Sequence, residues 1–177
     1  MSALGELTNL LADDPVVAVA TGGQARPIAV PEPARALFAA TLAQHTARRP
    51  VVLAVPTGVE AERLAGDLRE YLGDHAVELF PAWETLPFER VSPATETKGR
   101  RLRVIWRLRV GGEELPAVIV APVRALVQRL GPHVEDVEPI TITPGIRLDR
   151  DDLIEQLVNI GYRREYQVEA QIGRAHV

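Results

Sequence analysis

The sequence predicts an α/β fold: a parallel sheet with helices on both faces, followed by the truncated start of a smaller α+β unit. Two observations carry this. Short continuous apolar runs at 16–20, 51–55 and 117–121, with a further strand at 77–80, alternate with stretches of helical periodicity, the pattern of strands buried between covering helices. After residue 132 apolar and polar side chains begin to alternate instead, as along a half-exposed strand. At 177 residues, 46% hydrophobic and 25% charged, the chain has the balance of an ordinary globular protein of one domain or slightly more.

Residues 3–11 read as a short amphipathic helix with Leu4, Leu7, Leu10 and Leu11 on one face. The run at 16–20 reads as the first buried strand, turned by Thr21-Gly22-Gly23. A helix is expected over 33–46, with Pro33 in its first turn, where a missing amide is harmless. Val51–Val55 is the second strand. Thr57 and Glu60 have the spacing of a capping box, and the helix they open buries Ala61, Leu64, Leu68 and Leu72 before Gly73 stops it. The third strand is 77–80. A proline-rich loop and a basic helix over about 97–109 lead to the fourth strand at 117–121 and a short helix at 123–130, closed by Gly131-Pro132. Beyond it, 137–143 alternates as a strand does. Asp149 caps a helix running through Ile160, Gly161 stops it, and 162–169 alternates again.

Composition narrows the chemistry. A net charge of −4 and a pI near 5.6 argue against a stand-alone nucleic-acid binder. There are no cysteines, so disulfides and thiolate metal sites are excluded. His45, His75, His133 and His176 are scattered without ligand spacing. No apolar run approaches a membrane span, and residues 1–11 lack the basic start of a signal peptide, so a cytoplasmic protein without membrane contact is expected. Nineteen of the 20 basic residues are arginine; Lys98 is the only lysine.

A glycine turn after an apolar run raises the alternative of a helicase-like ATPase with an atypical phosphate loop around Gly22 and Arg26. A phosphate loop uses Gly-Lys-Ser/Thr, and that triplet does not occur. The run at 117–121 ends in Ala121-Pro122-Val123-Arg124, without a carboxylate for magnesium. Asp149, Asp151 and Asp152 cluster at a helix start, where carboxylates serve free amides. Ser2 and Ser92 are the only serines, and neither is near a histidine in sequence. No catalytic, cofactor-binding or metal-ligating residue is assigned.

The most distinctive stretch is 80–93. Pro81, Pro87 and Pro93 stiffen it and bar it from a helix or inner strand, yet it holds Trp83, Phe80 and Phe88. It is either an anchor that fixes the loop or a docking surface. Lys98, Arg100, Arg101, Arg103, Arg107 and Arg109 crowd the helix after it. Helical spacing turns Leu102, Ile105 and Trp106 toward the sheet and Arg100, Arg103 and Arg107 away. Those charges either meet phosphate or an acidic partner, or form a solvated face balanced by Glu84, Glu89 and Glu96. The candidate interaction surface is Trp83, Glu84, Phe88, Arg90, Arg100, Arg103 and Arg107.

The string Leu79-Phe80-Pro81-Ala82-Trp83-Glu84-Thr85-Leu86-Pro87-Phe88-Glu89, with Ser92-Pro93 and Gly99-Arg100-Arg101-Leu102, closely resembles the N-terminal region of bacterial transcription-repair coupling factors (the Mfd family). Val118 to Leu126, the segment 148–157, Gly161-Tyr162 and Val168-Glu169 follow in matching order. That region is similar in fold to UvrB, with a domain 1A, an inserted domain 2 and a returning domain 1B, and its ATP site is lost. The resemblance implies that 1–132 is domain 1A and 133–170 the incomplete beginning of domain 2. It implies no catalysis and no cofactor in this stretch. In the parent protein, ATP and magnesium serve motor domains elsewhere, stalled RNA polymerase is pushed along DNA, UvrA is recruited through domain 2, and domain 1A contacts the rest of the chain. The family pattern stops at residue 170. Residues 172–177 are what ATC GGA AGA GCA CAC GTC encodes, a string like a sequencing adapter, so 171–177 is expected to be a non-native tail. Resequencing across codon 170 tests this, and genomic codons identical to these overturn it.

Overall fold

The computed structural model describes residues 3–47, 49–84, 94–131, 134–136 and 138–159, and the chain divides into one unit over Met1–Gly131 and a second over Pro132–Val177. In the first unit, β1 (Val51–Val55), β2 (Val77–Leu79) and β3 (Val118–Pro122) form a parallel sheet in the order β1-β3-β2. Val51 and Val77 both lie opposite Val118. Parallel neighbours need crossovers, and α4 (Gly58–Leu72) and α5 (Thr95–Val110) supply them.

One face of the sheet packs on α4 and α3 (Arg35–His45). Ala61, Ala65 and Leu68 meet Val77, Leu79, Val118 and Val120, with Ala36, Ala39, Ala40 and Ala43 of α3 behind. Strand alternation sends Glu78, between Val77 and Leu79, to the other face, where Arg103 and Arg107 of α5 meet it. Helices therefore cover both faces, as the sequence predicts. The Thr57 hydroxyl accepts the Glu60 amide at 3.1 Å to open α4, and Gly73, at φ +84°, ends it. Thr57→Ala is expected to lower the unfolding free energy by about 1 kcal/mol, read from urea melts, while Thr57→Ser holds it; equal stability of all three proteins contradicts the cap.

The run at 16–20 departs from expectation. It is a helix, α2 (Pro15–Thr21), not a strand, and the sheet has three strands among the described residues rather than four. Asp14 accepts the Val16 amide at 2.8 Å, and Pro15 occupies the first helical position. These local signals outweigh the β preference of three valines. Residues 3–11 are a 3-10 turn, Ala3–Leu7, followed by α1 (Thr8–Leu11). Here Gly5 and Thr8 are buried, while Leu4, Leu7 and Leu10 are exposed. A Cβ on Gly5 would lie 2.9 Å from the Tyr71 carbonyl oxygen, and the Thr8 hydroxyl donates to the Gly5 carbonyl at 2.7 Å. Close backbone approach to α4, rather than a leucine stripe, sets the phase of this segment. The helix expected over 123–130 is shorter, α6 (Val123–Val127), because Gln128 turns extended.

In the second unit, the described residues form a 3-10 turn, Val134–Asp136, and α7 (Arg150–Asn159). Asp149 caps α7 as predicted, accepting the amides of Asp151 and Asp152 at 2.8 and 3.2 Å. The strand expected at 137–143 is not formed over its described residues, 138–143. Alternation stabilises a strand only where a neighbouring strand completes its ladder, and no described strand lies beside it. No residue of 138–159 is buried. Ile160, Gly161, the strand expected at 162–169 and the tail at 171–177 lie outside the described residues.

Candidate functional site

All three parallel strands deliver their carboxyl ends to one edge of the sheet. A cleft of about 510 Å³ opens there, walled by Thr57 and Gly58 after β1, Trp83 and Glu84 after β2, Arg124 after β3, and Thr97 and Arg100 of α5. Ligands of open α/β sheets bind at this edge.

The wall formed by residues 80–84 is fixed from behind. The Arg101 guanidinium lies between two aromatic rings, 4.1 Å from the centre of Phe80 and 4.4 Å from that of Trp83. Its Nη1 donates to the Pro81 carbonyl at 2.7 Å. Nε and Nη2 are buried with no partner among the described residues, and burial lowers the Arg101 pKa. From the opposite side, the Trp83 amide donates to Gln128 Oε1 at 2.8 Å. Gln128 is the residue at which α6 stops, so ending that helix early frees its side chain to hold the loop.

Glu84 closes the base of the loop by accepting the hydroxyl of buried Thr97. Burial works to raise the Glu84 pKa, but the Thr97 hydroxyl and the amides of Glu84 and Ala94 outweigh it and hold the carboxyl below the ordinary range. A depressed carboxylate contributes stability that is fully present above its unfolded value, about 4.3, and is lost as pH falls through the lower folded value. Glu84→Gln is therefore expected to show a smaller drop in melting temperature between neutral and acidic pH than the parent chain. An unchanged drop counts against this role.

The predicted surface residues have separate fates. Trp83 is half-buried in the cleft wall and Glu84 is exposed beside it. Arg100 is exposed and paired with Glu96 at 2.6 Å. Arg103 is exposed too, yet its Nε reaches Glu78 at 2.8 Å. Arg107 is not on the outer face: it is 1% exposed, bonded to Glu78 at 2.7 Å, to the Glu114 carbonyl at 2.6 Å and to the His75 carbonyl at 2.8 Å. The stripe of α5 turned inward is Thr97, Arg101, Val104 and Arg107, while Leu102, Ile105 and Trp106 are only half-buried. Phe88, Arg90 and Glu89 lie outside the described residues. Sequence reasoning missed Arg101, Gln128 and Glu78. The i, i+4, i+7, i+10 spacing from Thr97 was visible, but two arginines in it read as solvent-facing.

Among the described residues, no three His, Asp or Glu side chains gather to hold a metal, and no helix is long and apolar enough to cross a membrane. No protein-family model matches the chain. It is 39% identical over 138 residues to the transcription-repair-coupling factor of Mycobacterium tuberculosis (strain CDC 1551 / Oshkosh), a match covering 76% of this chain and 11% of that protein. The transcription-repair-coupling factor of Bacillus subtilis (strain 168) is 34% identical over 138 residues, 77% of this chain and 11% of the relative. That of Escherichia coli (strain K12) is 35% identical over 133 residues, 73% and 11%. The match thus spans about a tenth of the length of these curated relatives and three quarters of this chain, which belongs to the transcription-repair-coupling factor family.

Proposed function

We propose that this chain is the UvrB-like front of a transcription-repair coupling factor, a binding module without catalysis of its own. The observation that supports this best is the likeness to coupling factors from three distant bacteria over 133 to 138 residues. On this reading, 1–132 is domain 1A and 133–170 opens domain 2. The full-length protein releases RNA polymerase stalled on DNA, drives that step with ATP and magnesium in motor domains outside this stretch, and recruits UvrA through the completed domain 2, in the cytoplasm.

The site geometry favours the module over the ATPase alternative. A phosphate cradle is made of backbone amides, and the strands leave the cleft edge through Pro56, Pro81 and Pro122, which have none. The glycine turn at 22–23 follows helix α2 rather than a strand, so it lacks the strand–loop–helix setting of a phosphate loop. UvrA capture by the full-length gene product, lost on deleting this stretch, is the expected result. Capture that survives the deletion places the contact elsewhere, and micromolar ATP binding by the 177-residue chain overturns the module reading.

A further inference from the structure

The cleft at the carboxyl edge of the sheet carries five charged side chains, and only two of them neutralise each other: Glu96 and Arg100 meet at 2.6 Å. Glu84 accepts from the Thr97 hydroxyl and from backbone amides, neutral donors that leave its charge without a counter-ion. Glu62, in the first turns of α4, and Arg124, in α6, have no side-chain hydrogen bond or ion pair among the described residues. Two carboxylates therefore stand beside one free guanidinium. Ala61, Leu79, Trp83 and the prolines at the strand exits make the rest of the lining largely apolar, and exposed Val59 and Val123 adjoin it in the chain.

The volume, about 510 Å³, is that of a ligand pocket, roughly 300–1,000 Å³. Anions are disfavoured there, because carboxylates outnumber guanidiniums and the proline exits offer no amides. An apolar wall beside uncompensated carboxylates suits a cation carried on a long apolar stem. A guanidinium fits better than an ammonium, since its planar fork reaches two carboxylates from one position. We propose that this cleft docks an arginine-bearing peptide segment of a partner protein. The guanidinium lies on Glu62 and Glu84, the stem runs along Trp83, and Arg124 holds a peptide carbonyl. This gives the binding module its ligand class and rests on that reading.

The probe is acetyl-Ala-Arg-Ala-amide, titrated into the Trp106→Phe chain, where Trp83 is the remaining tryptophan and its emission the readout. A saturable change in the millimolar range is expected, and none with acetyl-Ala-Glu-Ala-amide. Glu62→Gln is expected to weaken the arginine peptide about tenfold, the effect of losing one charged hydrogen bond. Glu62 has no partner to lose, so this variant is expected to melt as the parent does. Glu70→Gln, exposed two turns further along α4, is expected to bind as the parent does. No saturable change, equal binding of the glutamate peptide, or full affinity in Glu62→Gln overturns the proposal. In the full-length gene product, saturation-transfer NMR read on the arginine peptide is expected to show binding. A peptide that binds the 177-residue chain but not the full-length protein places a segment of the same chain in the cleft and overturns the partner. ATP in place of the peptide separates the two readings: micromolar ATP binding sinks the module and this inference together, whereas a chain that binds neither sinks this inference alone.

Discussion

Arg107→Ala is expected to lower the unfolding free energy by about 3–5 kcal/mol, the range for removing one partner of a buried ion pair. Arg107 and Glu78 are 1% and 9% exposed. Truncation strands the Glu78 carboxylate with Arg103 alone, itself 60% exposed, and takes the donors from the carbonyls of Glu114 and His75. It unpins the end of α5 from β2 and from the turn that feeds β3. The cost lies chiefly in the uncompensated charge, so Glu78→Gln with Arg107→Met is expected to recover most of it. Arg103→Ala, at the exposed arm of the network, is expected to cost no more than about 1 kcal/mol. Urea denaturation of the four proteins checks the ordering. A single Arg107→Ala loss no larger than that of Arg103→Ala overturns it.

The same network shows where sequence patterning runs out. Val51–Val55 and the buried run at β3 were legible because a five-residue apolar run beside a capped helix has few other uses. The Thr57 cap, the Gly73 stop and the Asp149 cap were legible because each is a local hydrogen bond or backbone angle. Residues 16–20 misled because an apolar run that short does not separate strand from buried helix; Asp14-Pro15, ahead of it, was the deciding signal. The phase of α5 misled for a different reason. Hydropathy selects Leu102, Ile105 and Trp106, but β2 presents a carboxylate at Glu78 and the next loop presents two rings, so the inward positions suit arginine. That complementarity exists only after β2 and α5 are packed together. Of the candidate site, the 80–84 segment was legible as an oddity, and its supports, Arg101 and Gln128, were not.

Arg101 gives the second large effect and decides what holds the loop. Arg101→Ala is expected to cost about 3–4 kcal/mol, as for a large side chain removed from a packed interior. It empties the space between Phe80 and Trp83 and removes the donor to the Pro81 carbonyl. Two stacked rings contribute about 2 kcal/mol each when desolvated, and a hydrogen bond from a charged donor about 1.5–3 kcal/mol. Against these stands the burial of Nε and Nη2, which find no acceptor among the described residues, and burial already lowers the group's pKa. These unsatisfied donors offset part of that gain, so much of what the site needs is a long side chain that fills the slot. Arg101→Met, which fills it without charge and keeps favourable sulfur–aromatic contact, is therefore expected to cost less than half as much as Arg101→Ala. In a Trp106→Phe background the remaining tryptophan reports on Trp83 alone: its emission is expected to shift to the red in Arg101→Ala and to stay near the parent value in Arg101→Met. Equal losses for the two substitutions would show that the guanidinium charge, rather than its bulk between the rings, fixes the wall of the cleft.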